Sequence, residues 1–165
     1  KMDIALIQQA AHSSHLEYIP LLGDELIVIC WSGHPLAGKT VDLAALSQEV
    51  MVTREKGSGT SLLTEQAFAQ RGVPLRRGWI VSGSDAVKQA VLHRVGISVI
   101  SRFLVQEELD AGILGQIYLS DTPFHRRFDL AYHKDKVPDQ YFRQFLNFCT
   151  SLGNEGMKKL IERKG

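Results

Sequence analysis

The chain has 165 residues, 44% apolar and 22% charged, with a formal net charge of +1. That length allows one domain or two small lobes around a substantial core, and the near-zero charge argues against a nucleic-acid surface, which shows as a strongly basic face. No run approaches the roughly 18 apolar residues a membrane span needs, no secretory signal stands at the start, and Cys30 and Cys149 form neither a CxxC pair nor a disulfide framework; a reduced, cytoplasmic setting with no membrane partner is expected.

In chain order, residues 3–7 are a short apolar run that reads as a buried strand. It begins almost at residue 1 with nothing before it to pair with, which suggests a fragment. Residues 8–15 are small and polar and read as a loop. Residues 18–31 hold Ile19, Leu21, Leu22, Leu26, Ile27, Val28 and Ile29, and read as one extended segment broken near Gly23 and Asp24. Turn chemistry follows at 33–38, then a short helix over 42–46 and a strand over 50–53. Helical spacing of Leu62, Leu63, Ala67 and Phe68 stops at Gly72, a suitable C′ residue.

Residues 79–81 read as a strand, and Ser84 as the N-cap of a helix carrying Ala86, Val87, Ala90 and Val91. A strand over 97–100 precedes a helix over 103–109 closed by Gly112. Strands are expected at 116–119 and 128–132. Pro138 fits the first turn of a helix that puts Tyr141, Phe142, Phe145, Leu146, Cys149 and Leu152 on one face, with a basic helical tail over 157–163. Strands alternating with helices argue for α/β layers with mainly parallel pairing. Ligands in such sheets sit beyond the carboxyl ends of strands.

The loop Gly57-Ser58-Gly59-Thr60 joins a strand to a helix start. Glycine lets backbone approach a ligand closely, and the first turn of a helix presents unpaired N–H groups and a partial positive charge. With the hydroxyls of Ser58 and Thr60 this could hold a carboxylate, sulfate or phosphate. The plainer alternative is that Ser58, Thr60 or Ser61 caps the helix. Neither a full capping box nor a Walker A loop is present. At Ser82-Gly83-Ser84-Asp85 capping is the favoured reading, because Asp85 would repel an anion. His12 and His15 lack the neighbours of a metal site. No GxSxG elbow appears, and Glu55, Glu65, Asp85, Glu107 and Glu108 read as helix-end or solvated charge. No catalytic residue, metal or cofactor is expected.

The order of motifs resembles the LysR-type transcription regulators. It runs through Asp3-Ile4-Ala5-Leu6-Ile7, Pro20-Leu21-Leu22-Gly23-Asp24-Glu25-Leu26, His34-Pro35-Leu36-Ala37 and Arg54-Glu55-Lys56-Gly57-Ser58-Gly59-Thr60. It continues with Ala86-Val87-Lys88-Gln89-Ala90-Val91, Arg94-Val95-Gly96-Ile97-Ser98-Val99-Ile100-Ser101 and Leu130-Ala131-Tyr132-His133-Lys134. The resemblance implies the family's effector-binding domain: an α/β fold of two Rossmann-like lobes of the type 2 periplasmic-binding-protein class, with the first lobe incomplete. Residues 1–25 and 115–165 would form the partial first lobe with its crossing strands and C-terminal helix, and 26–114 the second lobe. The winged helix-turn-helix, the linker helix and the opening strand–helix–strand–helix of the first lobe are not in the sequence, so DNA would be bound only by the intact protein.

The same resemblance implies a small, anionic or polar effector in an interlobe cleft, met by Gln8 on one side and by Ser58, Gly59 and Thr60 on the other. It also implies a homo-oligomer, and residues 3–7 would stand at an unpaired sheet edge open to another chain. The alternatives are a solute-binding protein of a transport system and an enzyme on the same fold, such as a dehydratase.

Overall fold

A single strand, β2 (Leu16–Trp31), is the spine of the structure. The computed structural model describes residues 4–8, 13–120, 124–136 and 139–162, and for 153–155 and 157–162 the backbone alone. Asp3, His12, Pro138 and Arg163, which the sequence reading uses, lie outside the described residues. The chain divides into two compact units, residues 1–24 with 125–165 and residues 25–124. Strand β2 contributes to both.

The expected break at Gly23 and Asp24 is absent: β2 runs unbroken for 16 residues. Glycine followed by aspartate is turn chemistry when read locally. Here the Asp24 carboxylate is instead buried and ion-paired with Arg126, Nε to Oδ2 2.6 Å. A long-range partner thus holds extended a pair of residues that would otherwise bend.

In the first unit, β1 (Ala5–Gln8) pairs antiparallel with β8 (Phe124–His133), Gln8 opposite Phe128, and β8 lies beside β2. Helix α5 (Gln140–Glu162) follows as one continuous helix rather than a helix and a separate tail. Phe142 anchors it, meeting the Tyr132 ring edge-on at 5.2 Å. The expected apolar face is split. Phe142 and Cys149 are buried, while Tyr141 and Phe145 are exposed, as is Phe148, which the sequence reading did not place on that face.

In the second unit, β2 pairs antiparallel with β6 (Ser98–Ser101) on one edge and with β7 (Leu114–Leu119) on the other. The short β3 (Thr40–Val41) runs parallel to β7. Strands β4 (Met51–Arg54) and β5 (Arg77–Val81) pair in parallel, and a parallel bridge from Met51 to Ile97 joins β4 to the β6 region. The expectation of mainly parallel pairing therefore fails. The reason is β2, which runs against both β6 and β7; among the described residues parallel pairing is seen at β3–β7, β4–β5 and the bridge.

Alternation along β2 builds two cores. Leu26, Val28 and Cys30 point into one cluster with Leu43 and Leu46 of α1 (Leu43–Leu46) and Ala67 and Phe68 of α2 (Gly59–Gln70). Ile27 and Ile29 point the other way, into a cluster with Val87 and Val91 of α3 (Ser84–Leu92) and Val105. Helices cover both faces, which is why residues 26–30 form an unbroken apolar run instead of an alternating one. Helix α1 starts on Asp42, whose Oδ1 accepts from the Ala45 N–H at 2.7 Å. Helix α2 ends as expected at Gly72, with the Gly72 N–H bonded to the Ala69 carbonyl and the Val73 N–H to the Phe68 carbonyl. A 3-10 turn (Arg102–Leu104) and α4 (Gln106–Asp110) lead into β7.

Candidate functional site

Strands β4 and β5 run side by side and each passes directly into a helix. Two helix amino termini, those of α2 and α3, therefore follow the carboxyl ends of neighbouring parallel strands. The first connection is tight. The Glu55 N–H donates to the Val81 carbonyl at 3.1 Å, and the Ser58 N–H donates back to the Glu55 carbonyl at 3.1 Å. Gly57 turns the chain with φ +95°, a region that a Cβ disfavours.

Ser58 occupies the N-cap position of α2 in an extended conformation, but its side chain makes no capping bond. Its carbonyl accepts from the Leu62 N–H at 3.0 Å. The capping alternative thus fails for Ser58. Thr60 and Ser61 lie inside the first turn, where Ser61 Oγ donates to Glu65 Oε1 at 3.1 Å and the Thr60 carbonyl accepts from Thr64 Oγ1 at 2.8 Å. Helix geometry gives first-turn amides no acceptor within the helix. Ser58 and Gly59 are half-buried and Thr60 is buried. These three expected site residues share one turn of the second unit. Gln8, the fourth, ends β1 of the first unit and is half-buried.

The second connection corrects one detail. The N-cap of α3 is Gly83, at φ +85°, not Ser84, and no side chain caps it. Ser84 is the first helical residue, and its hydroxyl accepts from Arg54 Nη1 at 3.2 Å. Arg54 also grips its neighbour Glu55 through two bonds, Nε to Oε2 at 2.8 Å and Nη2 to Oε1 at 2.7 Å. The Arg54 hydrogen bond, aided by the backbone N–H groups of Glu55 itself and of Gly83, holds the Glu55 carboxyl at about 2. A carboxylate of the chain thus already sits on the α3 connection.

The sequence reading took Ser84 as a helix cap and named Arg54 only within the family motif, and it did not connect the two. Nothing local marks Arg54 as a link between two loops, because its partner Ser84 stands 30 residues away. Four of the histidines make structural contacts. His34 is buried and accepts from the Leu36 N–H at 3.0 Å. His93 is the C-cap of α3. His15 stacks on His133 at 6.2 Å. Among the described residues no group of three or more possible metal ligands occurs, and no helix is long and apolar enough to cross a membrane.

Helices on both faces of a mixed sheet, with helix amino termini gathered at strand ends, define the second unit as an α/β ligand-binding architecture. The family model for the LysR substrate binding domain matches residues 1–153, and the chain belongs to that family. It is 34% identical over 151 residues to a RuBisCO operon transcriptional regulator of Allochromatium vinosum, covering 91% of this chain and 50% of the relative. It is 30% identical over 149 residues to the HTH-type transcriptional regulator YeiE of Escherichia coli K12, covering 90% and 51%. The regulatory domain of Synechocystis PCC6803 CcmR, solved in complex with 2-PG, superposes with a TM-score of 0.83 at 30% identity, covering 92% of this chain and 73% of that one. The fold is that of LysR effector-binding domains, the periplasmic-binding-protein-like α/β class expected from the sequence. The chain spans about half the length of the curated relatives it matches.

Proposed function

We propose that this chain is the effector-sensing part of a LysR-type transcription regulator and that the α2 connection holds a small anionic or polar effector. The observation that carries the site is the uncapped start of α2. Ser58 stands at the N-cap with its hydroxyl uncommitted to capping, next to Gly59 and Thr60. A helix start of this kind stabilises a negative group through backbone amides and the helix dipole. The relative CcmR, whose regulatory domain was solved with 2-PG, supports a small molecule as the ligand class. Gln8 is proposed as a further contact on chemical grounds, since its amide can both donate and accept.

In the intact regulator an effector acts by binding one arrangement of the protein better than another and so shifting their populations. DNA binding belongs to a part of the regulator outside this chain. Self-association belongs to the same reading: β5 presents Trp79 and Ile80, 61% and 63% exposed, and a net charge of +1 offers little repulsion between copies.

The test is calorimetric titration of the chain with 2-PG and, separately, inorganic sulfate, repeated on Ser58→Ala with Thr60→Val and on Gln8→Ala. Losing one charge-assisted hydrogen bond costs about 1.5–3 kcal/mol, a tenfold or greater loss of affinity. Equal affinity of the parent and the Ser58/Thr60 variant for a ligand that binds would remove the α2 connection from the site.

A further inference from the structure

Neighbouring side chains along a strand point to opposite faces. Arg54 is the last residue of β4, yet its guanidinium meets the carboxylate of the very next residue, Nε to Oε2 at 2.8 Å and Nη2 to Oε1 at 2.7 Å. The chain therefore leaves strand geometry at Glu55, and the ion pair stands where the α2 connection begins. The guanidinium also reaches the other connection, with Nη1 donating to Ser84 Oγ at 3.2 Å, on the first residue of α3. The Glu55 carboxylate makes the return contact by accepting from the Gly83 N–H. One fork of donors thus ties the start of one helix to the start of the next.

The paired strands stop at Arg54 and Val81, the last partners in the β4–β5 register. Just beyond, the backbone joins the two connections through the Glu55 N–H and the Val81 carbonyl at 3.1 Å. Packing does little at the turn that follows. Lys56 and Gly57 are exposed, and a Cβ built on Gly57 would meet nothing within 4 Å. Residues 58–60 are therefore held from two ends, by α2 on one side and by the Arg54–Glu55 pair on the other. The pair suits that work. The Arg54 side chain is only 24% exposed, its planar fork matches a carboxylate, and the Glu55 carboxyl, held at about 2, is ionised at neutral pH.

We propose that Arg54 is a positioning residue for effector binding: through Glu55 and Ser84 it holds the two helix starts in one arrangement, so that the amides and hydroxyls at 58–60 meet an anionic group already ordered. The inference rests on the reading of the α2 connection as the effector site. Its physical content is pre-organisation, since a loop already in its bound shape spends no binding energy on being ordered. The rival role is attraction by charge. It is disfavoured because Glu55 matches the Arg54 charge at contact distance, so the pair presents little net charge to a ligand. Two substitutions separate the roles. Arg54→Lys keeps the positive charge and loses the fork. Glu55→Gln removes a negative charge beside the anion, which by charge alone would tighten binding, and it breaks the ion pair.

The test is calorimetric titration with 2-PG and with inorganic sulfate on the parent, Arg54→Lys, Glu55→Gln and Ser84→Ala. Arg54→Lys and Glu55→Gln are both expected to bind about tenfold more weakly, and Ser84→Ala several-fold more weakly. Arg54→Lys combined with Ser84→Ala costs less than the product of the separate losses, because both remove the same contact. Hydrogen exchange on the unliganded chain supplies a reading that a general role in stability would not move. The amides of Glu55, Ser58 and Gly83, bonded within the clasp, exchange faster in Arg54→Lys, while those of Val28 and Ile29 in β2 keep the parent's rate. Unchanged affinity of Arg54→Lys, or tighter binding by Glu55→Gln, overturns the proposal and leaves the α2 site standing. Equal acceleration of exchange in β2 and in the clasp also overturns it, by making Arg54 a prop of the whole unit. Glu55→Gln decides by its sign if Arg54→Lys does not fold. A parent that binds neither probe removes the effector site itself, and this inference with it.

Discussion

The Arg126 guanidinium reaches Asp24 across 102 residues of sequence, Nε to Oδ2 2.6 Å, and the aspartate side chain is almost wholly buried. Removing one member of a buried pair leaves the other charge under-compensated, which costs about 3–5 kcal/mol. Arg126→Met keeps much of the side chain's packing over the Phe128 ring, where the guanidinium sits 4.9 Å from the centroid. Asp24 keeps other contacts, so a loss near the lower figure, about 3 kcal/mol, is expected. Urea unfolding measures it. A change within about 0.5 kcal/mol, the range of ordinary surface substitutions, would show that the pair does not hold β2 straight.

Gly96 is a position of close approach. A Cβ built there would lie 2.3 Å from the Val50 carbonyl oxygen and 3.0 Å from its carbon. That same oxygen accepts from the Ile97 N–H at 2.9 Å, so it cannot withdraw without losing the bond between β4 and the β6 region. Gly96→Ala is expected to destabilise by roughly 3 kcal/mol or more, at the upper end for overpacking because backbone rather than side chain must yield. Circular dichroism melts on the parent and the variant decide it; matching midpoints would contradict the geometry.

Glu55 makes acid stability measurable at one residue. Its folded value of about 2 lies below the ordinary 4.5. The unfolded chain therefore takes up a proton more readily, and the stabilisation is fully present above the unfolded value and lost as pH falls towards 2. Glu55→Gln is expected to flatten the stability curve across that window while leaving its shape near neutrality alone. Denaturation midpoints from pH 6 down to about 2 supply the comparison. A parallel acid limb in the variant would mean that other carboxylates carry it.

The two thiols should be inert in the folded protein. Burial, with a smaller contribution from the Glu49 charge, raises the Cys30 thiol to about 11. Burial also raises Cys149. Since the thiolate is the reacting species, an aromatic disulfide reagent at pH 8 should label neither until denaturant is added. Rapid labelling of the native chain at either position would show that its cover opens.

Much of this architecture was readable from local pattern. The helix over Gly59–Gln70 announced itself by apolar spacing and by Gly72 behind it, since both signals act within a few residues. The short helix over 42–46 was local in the same way. What escaped reading depends on distant partners. Straightness at Gly23 and Asp24 is supplied by Arg126, and the two-residue β3 exists because Thr40 and Val41 find β7. The running direction of neighbours along β2 is likewise set by chain returns, not by composition. At the site, the loop at 57–60 stood out by its glycines and hydroxyls, whereas Arg54 looked ordinary until Ser84 was beside it. The apolar face of α5 was visible as spacing, but spacing does not reveal which half of a wide apolar face is bare.

Leu26, Ile27, Val28, Ile29 and Cys30 are all buried, because the strand is clothed from above and below. The same five residues are β-prone, uncharged and free of proline, the make-up of segments that stack into amyloid-like zippers. Folding is what keeps them out of reach. Once heat strips the helices away, refolding competes with intermolecular stacking. Recovery of native protein after a melt should accordingly worsen as protein concentration rises, and a charge placed inside this run would trade solubility of the unfolded chain against the centre of the second unit.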